Sequence, residues 1–237
     1  MICLGIESAG KTASIAIMQD NTLLYEATLR AGFTHSESLL QMIDTALSAV
    51  RLTAAQIDLW AVCAGPGSFT GLRIGMALVK GLALATGAPC VAVSTLEAQA
   101  WAVAGVETVI SALDARRGQV YAGGFSVATA ENPPMQLFAD GAYPVEKLED
   151  FVLSCKKPLV FVGDGAEICY NVYGTIPGVV RWPGYLSESR AVGVCLSAIK
   201  QASTGNTQTG EQLQPCYHRL SQAERERMER LQNQQEK

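Results

Sequence analysis

The sequence predicts an α/β protein made of two similarly built halves with a cleft between them. Of its 237 residues 49% are hydrophobic and only 17% are charged, so there is ample material for a buried core. A strand that ends on an acid, a short turn and a second strand occur twice, first from Glu7 to Ala13 and again from Asp114 to Val120. Strands and helices alternate after each hairpin, which is typical of α/β folds.

The first half begins with three short β-prone runs separated by turn residues. They predict antiparallel strands at residues 2–6, 13–18 and 22–29. Thr34 and Glu37 then fit a capping box, in which the N-cap side chain and an acid three residues later satisfy the first N–H groups of a helix. Apolar residues at helical spacing extend this helix to about Val50.

The rest of the first half alternates strands with helices. A continuous apolar strand at 57–64 is expected in a covered sheet, and Gly65-Pro66-Gly67 ends it. The next helix, at 70–85, is apolar on nearly every side, so we expect it to be buried on more than one side. A strand at 90–93 and a helix at 95–103 follow.

The second half repeats this order. Its predicted elements are strands at 108–113, 120–127 and 136–143, a helix at 144–154, a strand at 159–162, a helix from Ala166 and a helix at 191–202. Residues 203–212 read as a polar loop. The pattern divides the chain into domains at 1–104 and 105–220, followed by a polar helical or frayed tail at 221–237.

Charge is distributed unevenly along the chain. Between residues 59 and 106 only Arg73, Lys80 and Glu97 are charged, which predicts an apolar surface that another protein covers. The net charge of −4 and the pI of about 5.3 argue against a protein dedicated to binding polyanions. The charges of the tail sum to zero, so the tail has no net attraction to RNA.

Targeting signals and cysteine patterns are missing from the sequence. No basic segment precedes Glu7, and Lys80 interrupts the longest apolar stretch, so we expect no secretory signal, no membrane span and a cytoplasmic location. The seven cysteines are scattered without a C-x-x-C pair, which indicates free thiols rather than a zinc site or a disulfide framework.

Residues 5–12 match the phosphate-loop pattern G-x-x-x-x-G-K-[ST]. That motif works only when a helix follows the loop at once, because the helix N-terminus contributes to phosphate binding. Too few residues separate Thr12 from the Asp20-Asn21 turn for such a helix. The sequence therefore favours a hairpin loop over a phosphate-loop switch.

The glycine-rich stretch at 65–75 is the most distinctive part of the chain. Free N–H groups at a helix start capped by Ser68 or Thr70 would favour an anion. The glycines fit equally well a structural role, in which they permit positive φ and close helix–strand contact. With the two acid-bearing hairpins, this turn defines a candidate nucleotide or anion site formed by Glu7, Ser8, Lys11, Gly65, Gly67, Ser68, Thr70, Asp114 and Asp164.

The sequence gives little evidence for a metal site or for a catalytic nucleophile. His35 and Glu37 could be ligands, but zinc needs three or four, and the other histidine, His218, is far along the chain. We therefore predict no metal site. Glu7 and Asp114 could hold Mg²⁺ across the cleft or could simply end their strands. No Ser-His-Asp set or nucleophile motif is present, so the sequence predicts no catalytic residue.

Residues 65–75, GPGSFTGLRIG, resemble the signature of the bacterial TsaB (YeaZ) family, a subunit of the machinery that makes threonylcarbamoyladenosine in tRNA. Three further segments agree in the same order: HSESLL from His35, LDAR from Leu113 with Val120-Tyr121 after it, and PCYHR from Pro215. The resemblance covers residues 1–219. It implies an actin-like (ASKHA) fold of two related domains with a cleft between them.

The resemblance also implies a non-catalytic scaffold that pairs with a catalytic TsaD-like subunit and works with a TsaE-like ATPase. Adenosine 37 of tRNAs that read A-starting codons is then the acceptor, and tRNA is contacted only through the complex. The implied partner interface comprises His35, Ser36, Glu37, Leu39, Leu40, Ile43, Leu72, Arg73, Met76, Leu78 and Val79. We expect the chain alone to form a homodimer through this surface.

The first loop departs from the family pattern. Glu7-Ser8-Ala9 stands where family members usually have Asp-Thr-Ser, which argues against independent nucleotide chemistry in this hairpin. We expect no cofactor on the chain alone, while ADP or ATP with Mg²⁺ could bind at the joint interface with the partner. The alternative is an independent ATP-dependent or metalloprotease-like enzyme of the same superfamily.

Overall fold

The computed structural model describes residues 1–30, 32, 34–101, 103, 105–127 and 132–218, and its strands form two sheets. The first sheet has the order β3-β2-β1-β4-β5, in which β1 is antiparallel to β2 and parallel to β4. Its strands are β1 (Ile2–Glu7), β2 (Ala13–Gln19), β3 (Thr22–Leu29), β4 (Leu59–Gly65) and β5 (Cys90–Ser94).

The second sheet repeats the topology of the first. Its order is β8-β7-β6-β9, with β6 antiparallel to β7 and parallel to β9. The strands are β6 (Thr108–Arg116), β7 (Gln119–Ser126), β8 (Met135–Pro144) and β9 (Leu159–Val162). Glu7 and Asp114 occupy equivalent places, since each lies in the first strand of its hairpin next to the turn. The prediction of two similarly built halves is confirmed.

Seven α-helices lie in the described part of the chain: α1 (His35–Ala49), α2 (Phe69–Thr86), α3 (Thr95–Trp101), α4 (Glu149–Ser154), α5 (Ala166–Tyr173), α6 (Gly184–Ser187) and α7 (Ala191–Ser203). The predicted capping box begins α1, where the Glu37 carboxylate accepts the Thr34 N–H at 2.9 Å and its hydroxyl at 2.7 Å. The helix predicted at 144–154 is divided into a 3-10 turn at Val145–Leu148 and α4. The short helix α6 was not predicted.

Helices cover both faces of the first sheet. α1 and α2 pack on one face through residues such as Leu39 and Met76, around the buried Trp60. α3 and α7 lie on the other face, and α3 also packs against the second sheet through Leu96 and Ala100. α4 and α5 cover the far side of the second sheet.

The placement of α7 corrects the predicted domain boundary. The sequence assigns residues 191–220 to the second domain, but α7 packs against β1 and β2 of the first sheet. Cys195 is completely buried there, and a Cβ on Gly5 would lie 2.7 Å from its Sγ. The chain therefore returns to the first half after α6. The predicted tail at 221–237 lies outside the described residues.

Among the described residues, α2 is the one helix whose length and mean hydropathy of 1.3 would suffice to cross a membrane. It also packs on the first sheet, with Leu72 and Val79 completely buried. This packing explains the apolar inner face of α2, because a helix covered by a sheet needs one. The expected burial on more than one side is not met within the chain, since Leu84 on the outward side is 78% exposed.

Candidate functional site

The hairpin turn between β1 and β2 packs directly on the start of α2. Ser68 donates its N–H to the Ala9 carbonyl at 2.7 Å, and its Oγ accepts the N–H of Gly71 at 3.3 Å as the helix cap. The Ser8 hydroxyl donates to the Gly71 carbonyl at 2.9 Å. The N–H groups of Ser68 and Gly71, which could otherwise face an anion at this helix start, are therefore satisfied by the chain itself.

The glycines of the 65–75 stretch make this contact possible. A Cβ on Gly67 would lie 2.6 Å from the Ala9 Cβ, and a Cβ on Gly71 would collide with the Ser8 carbonyl. A Cβ on Gly75 would collide with the Ser8 hydroxyl. Of the two roles that the sequence leaves open, the structure supports close backbone packing.

Glu7 is buried beneath this turn, with 1% of its surface exposed. One carboxylate oxygen accepts the Ala9 N–H at 2.6 Å, and the other accepts the thiol of Cys63 at 2.6 Å. Burial raises the pKa of Glu7, and the nearby Asp164 adds to the rise, although the two hydrogen bonds oppose it. Burial and the Glu7 carboxyl raise the pKa of Cys63, so this thiol is not an activated nucleophile.

The acids of the second half are also engaged. Asp164 accepts the N–H of Asp114 at 2.9 Å, and Asp114 accepts the N–H and guanidinium of Arg116 at 2.8 and 3.3 Å. Lys11, which is half-exposed, places its Nζ 3.6 Å from the other oxygen of Asp164. The structure therefore brings Lys11 and Asp164 together from opposite halves.

Further contacts join the halves along the predicted cleft. The Thr12 hydroxyl donates to the carbonyl of Ser189 at 3.2 Å, and Arg30 forms an ion pair with Glu188. Residues from both halves therefore meet beside the Ser8–Gly10 turn, and a cavity of about 470 Å³ remains next to them, lined by Arg30, Asp164 and Glu188 among other residues.

At the candidate nucleotide or anion site, Glu7 and the start of α2 do not fit a nucleotide with Mg²⁺. Both oxygens of Glu7 accept protein donors, and the start of α2 is covered by Ala9. His35 contacts the Gly10 carbonyl through Nε2 at 3.2 Å, while Glu37 serves as the helix cap. Within the described residues, no group of three or more His, Cys, Asp and Glu side chains could hold a metal ion.

The segment that matches the phosphate-loop pattern, residues 5–12, is a hairpin turn with its flanking strand ends. β2 begins at Ala13, directly after the lysine and threonine of the pattern, so no helix follows them. The prediction of a hairpin in place of a phosphate loop is confirmed.

The structure divides the predicted partner interface into outer and inner residues. Ser36, Glu37, Leu40 and Arg73 are exposed, and His35 and Leu78 are half-buried. The remaining five face the interior, with at most 3% of their surface exposed: Leu39, Ile43, Leu72, Met76 and Val79. For these five, the expectation of a surface position is wrong, because they pack against the chain's own sheet.

The outward side of the same two helices forms a surface that we call the α1–α2 face, defined by Leu40, Arg73, Ala77, Gly81 and Leu84. Leu40 is 58% exposed and Leu84 is 78% exposed. The predicted partner interface includes Leu40 and Arg73 but omits Ala77, Gly81 and Leu84. The low charge between residues 59 and 106 is the sequence signal that could have included these three residues.

Comparison with known proteins places the chain among proteins of threonylcarbamoyladenosine synthesis by similarity of sequence. Residues 30–202 match the family model described as TsaD, tRNA N6-adenosine threonylcarbamoyltransferase. The chain is 36% identical over 124 residues to the tRNA threonylcarbamoyladenosine biosynthesis protein TsaB of Escherichia coli strain K12, and 35% identical over 124 residues to that of Bacillus subtilis strain 168. These alignments cover 51% and 52% of this chain and 53% and 54% of the relatives, so the chain spans about half the length of the curated relatives it matches.

A solved structure extends the likeness to most of the chain. The Pseudomonas aeruginosa protein described as similar to the peptidase YEAZ superposes with a TM-score of 0.79 at 24% identity, over 92% of this chain and 99% of that one. At this identity the likeness shows the fold. Together with the repeated sheet topology, it confirms the predicted actin-like (ASKHA) fold class.

Proposed function

We propose that this chain, which belongs to the TsaD-type domain family and is similar to TsaB/YeaZ proteins, is a non-catalytic, activating subunit in the synthesis of threonylcarbamoyladenosine in tRNA. The complex transfers a threonylcarbamoyl group to adenosine 37 of tRNAs that read A-starting codons. A TsaD-like partner carries out the transfer, and this chain supports that partner.

The observation that carries the proposal is the packing of the first hairpin turn on the start of α2. In an actin-like fold, the space between the two hairpins is where a ligand would be expected. Here Ser8 and Ala9 pack on α2, Glu7 is buried under them, and Lys11 pairs with Asp164 across the gap. These contacts support a role in which the chain acts through its surface.

The α1–α2 face is the surface we assign to the partner. Its exposed leucines are Leu40 on α1 and Leu84 on α2. The exposed small residues of α2, Ala77 and Gly81, allow another helix to approach closely. The TsaD-like subunit binds this face, and a TsaE-like ATPase joins the complex. Without the partner, two copies of the chain cover the face in a homodimer, which sedimentation velocity measures directly.

The remaining parts of the proposal follow from this arrangement. tRNA is contacted only through the complex, which acts in the cytoplasm, and ADP or ATP with Mg²⁺ binds only where this chain and its partner meet. The acidic net charge of −4 agrees with the first point, because a chain that bound tRNA by itself would show a basic patch.

Reconstitution with purified TsaD-like and TsaE-like subunits, threonylcarbamoyl-adenylate and tRNA tests the proposal. We expect modification to require this chain and to fall at least tenfold with Leu40→Asp or Leu84→Asp, because a buried unpaired charge at an interface costs more than ~1.4 kcal/mol. Leu153→Asp is the matched control, since Leu153 is 59% exposed on α4 of the other half.

Two results would contradict the proposal. Full modification without this chain would remove the supporting role, and co-purification of Leu40→Asp and Leu84→Asp variants with the partner would remove the α1–α2 face. ATP hydrolysis or proteolysis by the chain alone would favour the alternative of an independent enzyme.

A further inference from the structure

The cysteines of this chain differ sharply in their access to solvent. All seven lie in the described part of the chain and are free, and Cys216 is the exposed one. Burial raises the pKa of Cys63, Cys169 and Cys195, so these thiols stay protonated at neutral pH. Burial also raises the pKa of the half-buried Cys155. A reagent in solution therefore meets the Cys216 thiol first.

The first half of the chain holds the backbone around Cys216 in place. The Cys216 N–H donates to the Ala64 carbonyl at 2.7 Å. Gly65 has a φ of 129°, and a Cβ there would collide with the Cys216 carbonyl. Leu213, three residues earlier, is completely buried in the core of the first half. The exposed thiol is therefore carried by a segment with a defined position.

A base lies beside this thiol. The Cys216 Sγ is 3.5 Å from the Nε2 of His218, which is hydrogen-bonding distance for sulfur. Imidazole accepts protons near neutral pH, and a thiol that gives its proton to a neighbouring histidine becomes a thiolate, its reactive form. The two side chains therefore form a nucleophile–base pair.

A carboxyl group of the second half lies near the same histidine. Burial raises the pKa of Asp140 on β8, and the charge of His218 opposes this rise. A negative charge near an imidazole stabilises the imidazolium that forms when the thiol proton is transferred. Asp140 therefore supports His218 as the proton acceptor.

The exposed pair has the chemistry for thiol–disulfide exchange with a small soluble disulfide. His218 accepts the proton of the Cys216 thiol, and the thiolate attacks one sulfur of the reagent. A new S–S bond to Cys216 forms as the S–S bond of the reagent breaks, and the leaving thiolate takes the proton from the imidazolium. One disulfide is consumed and one is formed, so the reaction needs no other oxidant.

We propose that Cys216 is a modification site that reacts with a glutathione-type disulfide, with His218 as its base, and that the mixed disulfide weakens binding of the TsaD-like partner. The modification is independent of the proposed function, whereas its effect on the partner rests on it. Cys216 adjoins Tyr217, whose hydroxyl accepts the Nε–H of Arg73 at 2.8 Å. The adduct therefore places a charged tripeptide at the edge of the α1–α2 face.

The first test follows the modification in the full chain without a partner. After incubation with oxidised glutathione, intact mass spectrometry should show one adduct on the unaltered chain and none on Cys216→Ser. Cys155→Ser is the matched control and should still gain the adduct, because Cys155 is the half-buried thiol of the chain. Dithiothreitol should remove the adduct.

The second test asks whether His218 acts as the base. General bases usually contribute about 10²–10⁴-fold to a rate, so His218→Ala should slow adduct formation at pH 7 by at least about tenfold. Added imidazole should restore part of the lost rate, which it would not do for a residue that only shapes the segment. His35→Ala, which removes the other histidine, should react like the unaltered chain.

The third test measures the affinity for the TsaD-like partner by calorimetry. The chain that carries the adduct should bind at least about tenfold more weakly, because charged groups covered by an interface lose their hydration. Dithiothreitol should restore the original affinity. Cys216→Ser treated with oxidised glutathione should bind like the untreated chain.

The inference is overturned if Cys216→Ser gains the adduct as fast as the unaltered chain, if His218→Ala reacts at an unchanged rate or is not rescued by imidazole, or if the modified chain keeps its affinity for the partner. Failure of the untreated chain to bind the partner is a different result. It removes the proposed function, while the mass measurements still decide the chemistry of Cys216.

Discussion

Leu72 and Leu84 lie on the same apolar helix, yet the structure predicts very different costs for shortening them. Leu72 is completely buried beside Ala9, and a Cβ on Gly65 would lie 3.5 Å from its side chain, whereas Leu84 is 78% exposed. Leu→Ala removes three carbons, so at ~0.8 kcal/mol each the transfer contribution at Leu72 is about 2.4 kcal/mol. The cavity raises the expected loss of unfolding free energy to about 3–4 kcal/mol.

The same arithmetic gives about 0.5 kcal/mol for Leu84→Ala, because only about a fifth of that side chain leaves water on folding. Urea unfolding followed by tryptophan fluorescence measures both values, provided that the m-value is unchanged. A loss below 1 kcal/mol for Leu72→Ala, or equal losses for the two variants, would refute the division of α2 into a buried and an outward side.

Two further variants test the contact between the hairpin turn and α2. Gly71→Ala should lower the unfolding free energy by about 1–3 kcal/mol, because the new Cβ would collide with the Ser8 carbonyl. Gly81→Ala should raise the unfolding free energy by about 0.5–1 kcal/mol, because the new Cβ would lie in open space. Urea unfolding should show opposite signs, and equal signs would contradict the packing. Burial raises the pKa of Glu7 above its ordinary value of 4.5, so the folded protein is more stable with a neutral Glu7 and loses that stability as the pH rises and Glu7 ionises. Because glutamine does not ionise, Glu7→Gln should become more stable relative to the unaltered chain as the pH rises above 4.5. Melting temperatures from pH 4 to 8 measure this, and a difference that does not change with pH would count against a buried Glu7.

The elements of the fold could be predicted from the sequence because each has a local signal. The hairpins have turn residues between β-prone runs, α1 has its capping box, and the strand at 159–162 matches the observed β9 at both ends. The repeat was visible because its acids, Glu7 and Asp114, recur at the same spacing from the next strand.

The packing partner of a helix has no such signal, which is why α7 was assigned to the wrong half. Its apolar face fits any sheet by hydropathy alone. Close contacts that only glycine permits place α7 on the first sheet. Gly193 allows the Ala98 carbonyl of α3 to approach, and Gly5 leaves room for Cys195. Such contacts depend on three-dimensional proximity between residues that are 95 positions apart for Ala98 and Gly193 and 190 positions apart for Gly5 and Cys195.

The candidate site shows the same limit. A glycine turn before a helix can either bind an anion or allow a neighbouring backbone to pack closely. The sequence does not distinguish these two roles, whereas the position of Ser8 and Ala9 in the structure shows close packing. The inner and outer sides of α2 were also indistinguishable in the sequence, because a helix that is apolar all round has no preferred direction.

α2 therefore links the Ser8–Ala9 turn to the surface that we assign to the partner. Its first turn is bonded to the Ser8–Ala9 turn, and one turn later the Arg73 Nε–H donates to the Tyr217 hydroxyl near the end of the described chain. A ligand at the start of α2 would have to displace Ser8 and Ala9, and this would remove the contacts that fix the start of the helix. A chain that presents α2 to a partner gains from keeping this turn in place, because the contacts that exclude a ligand from the helix start are the same contacts that hold the docking helix in place.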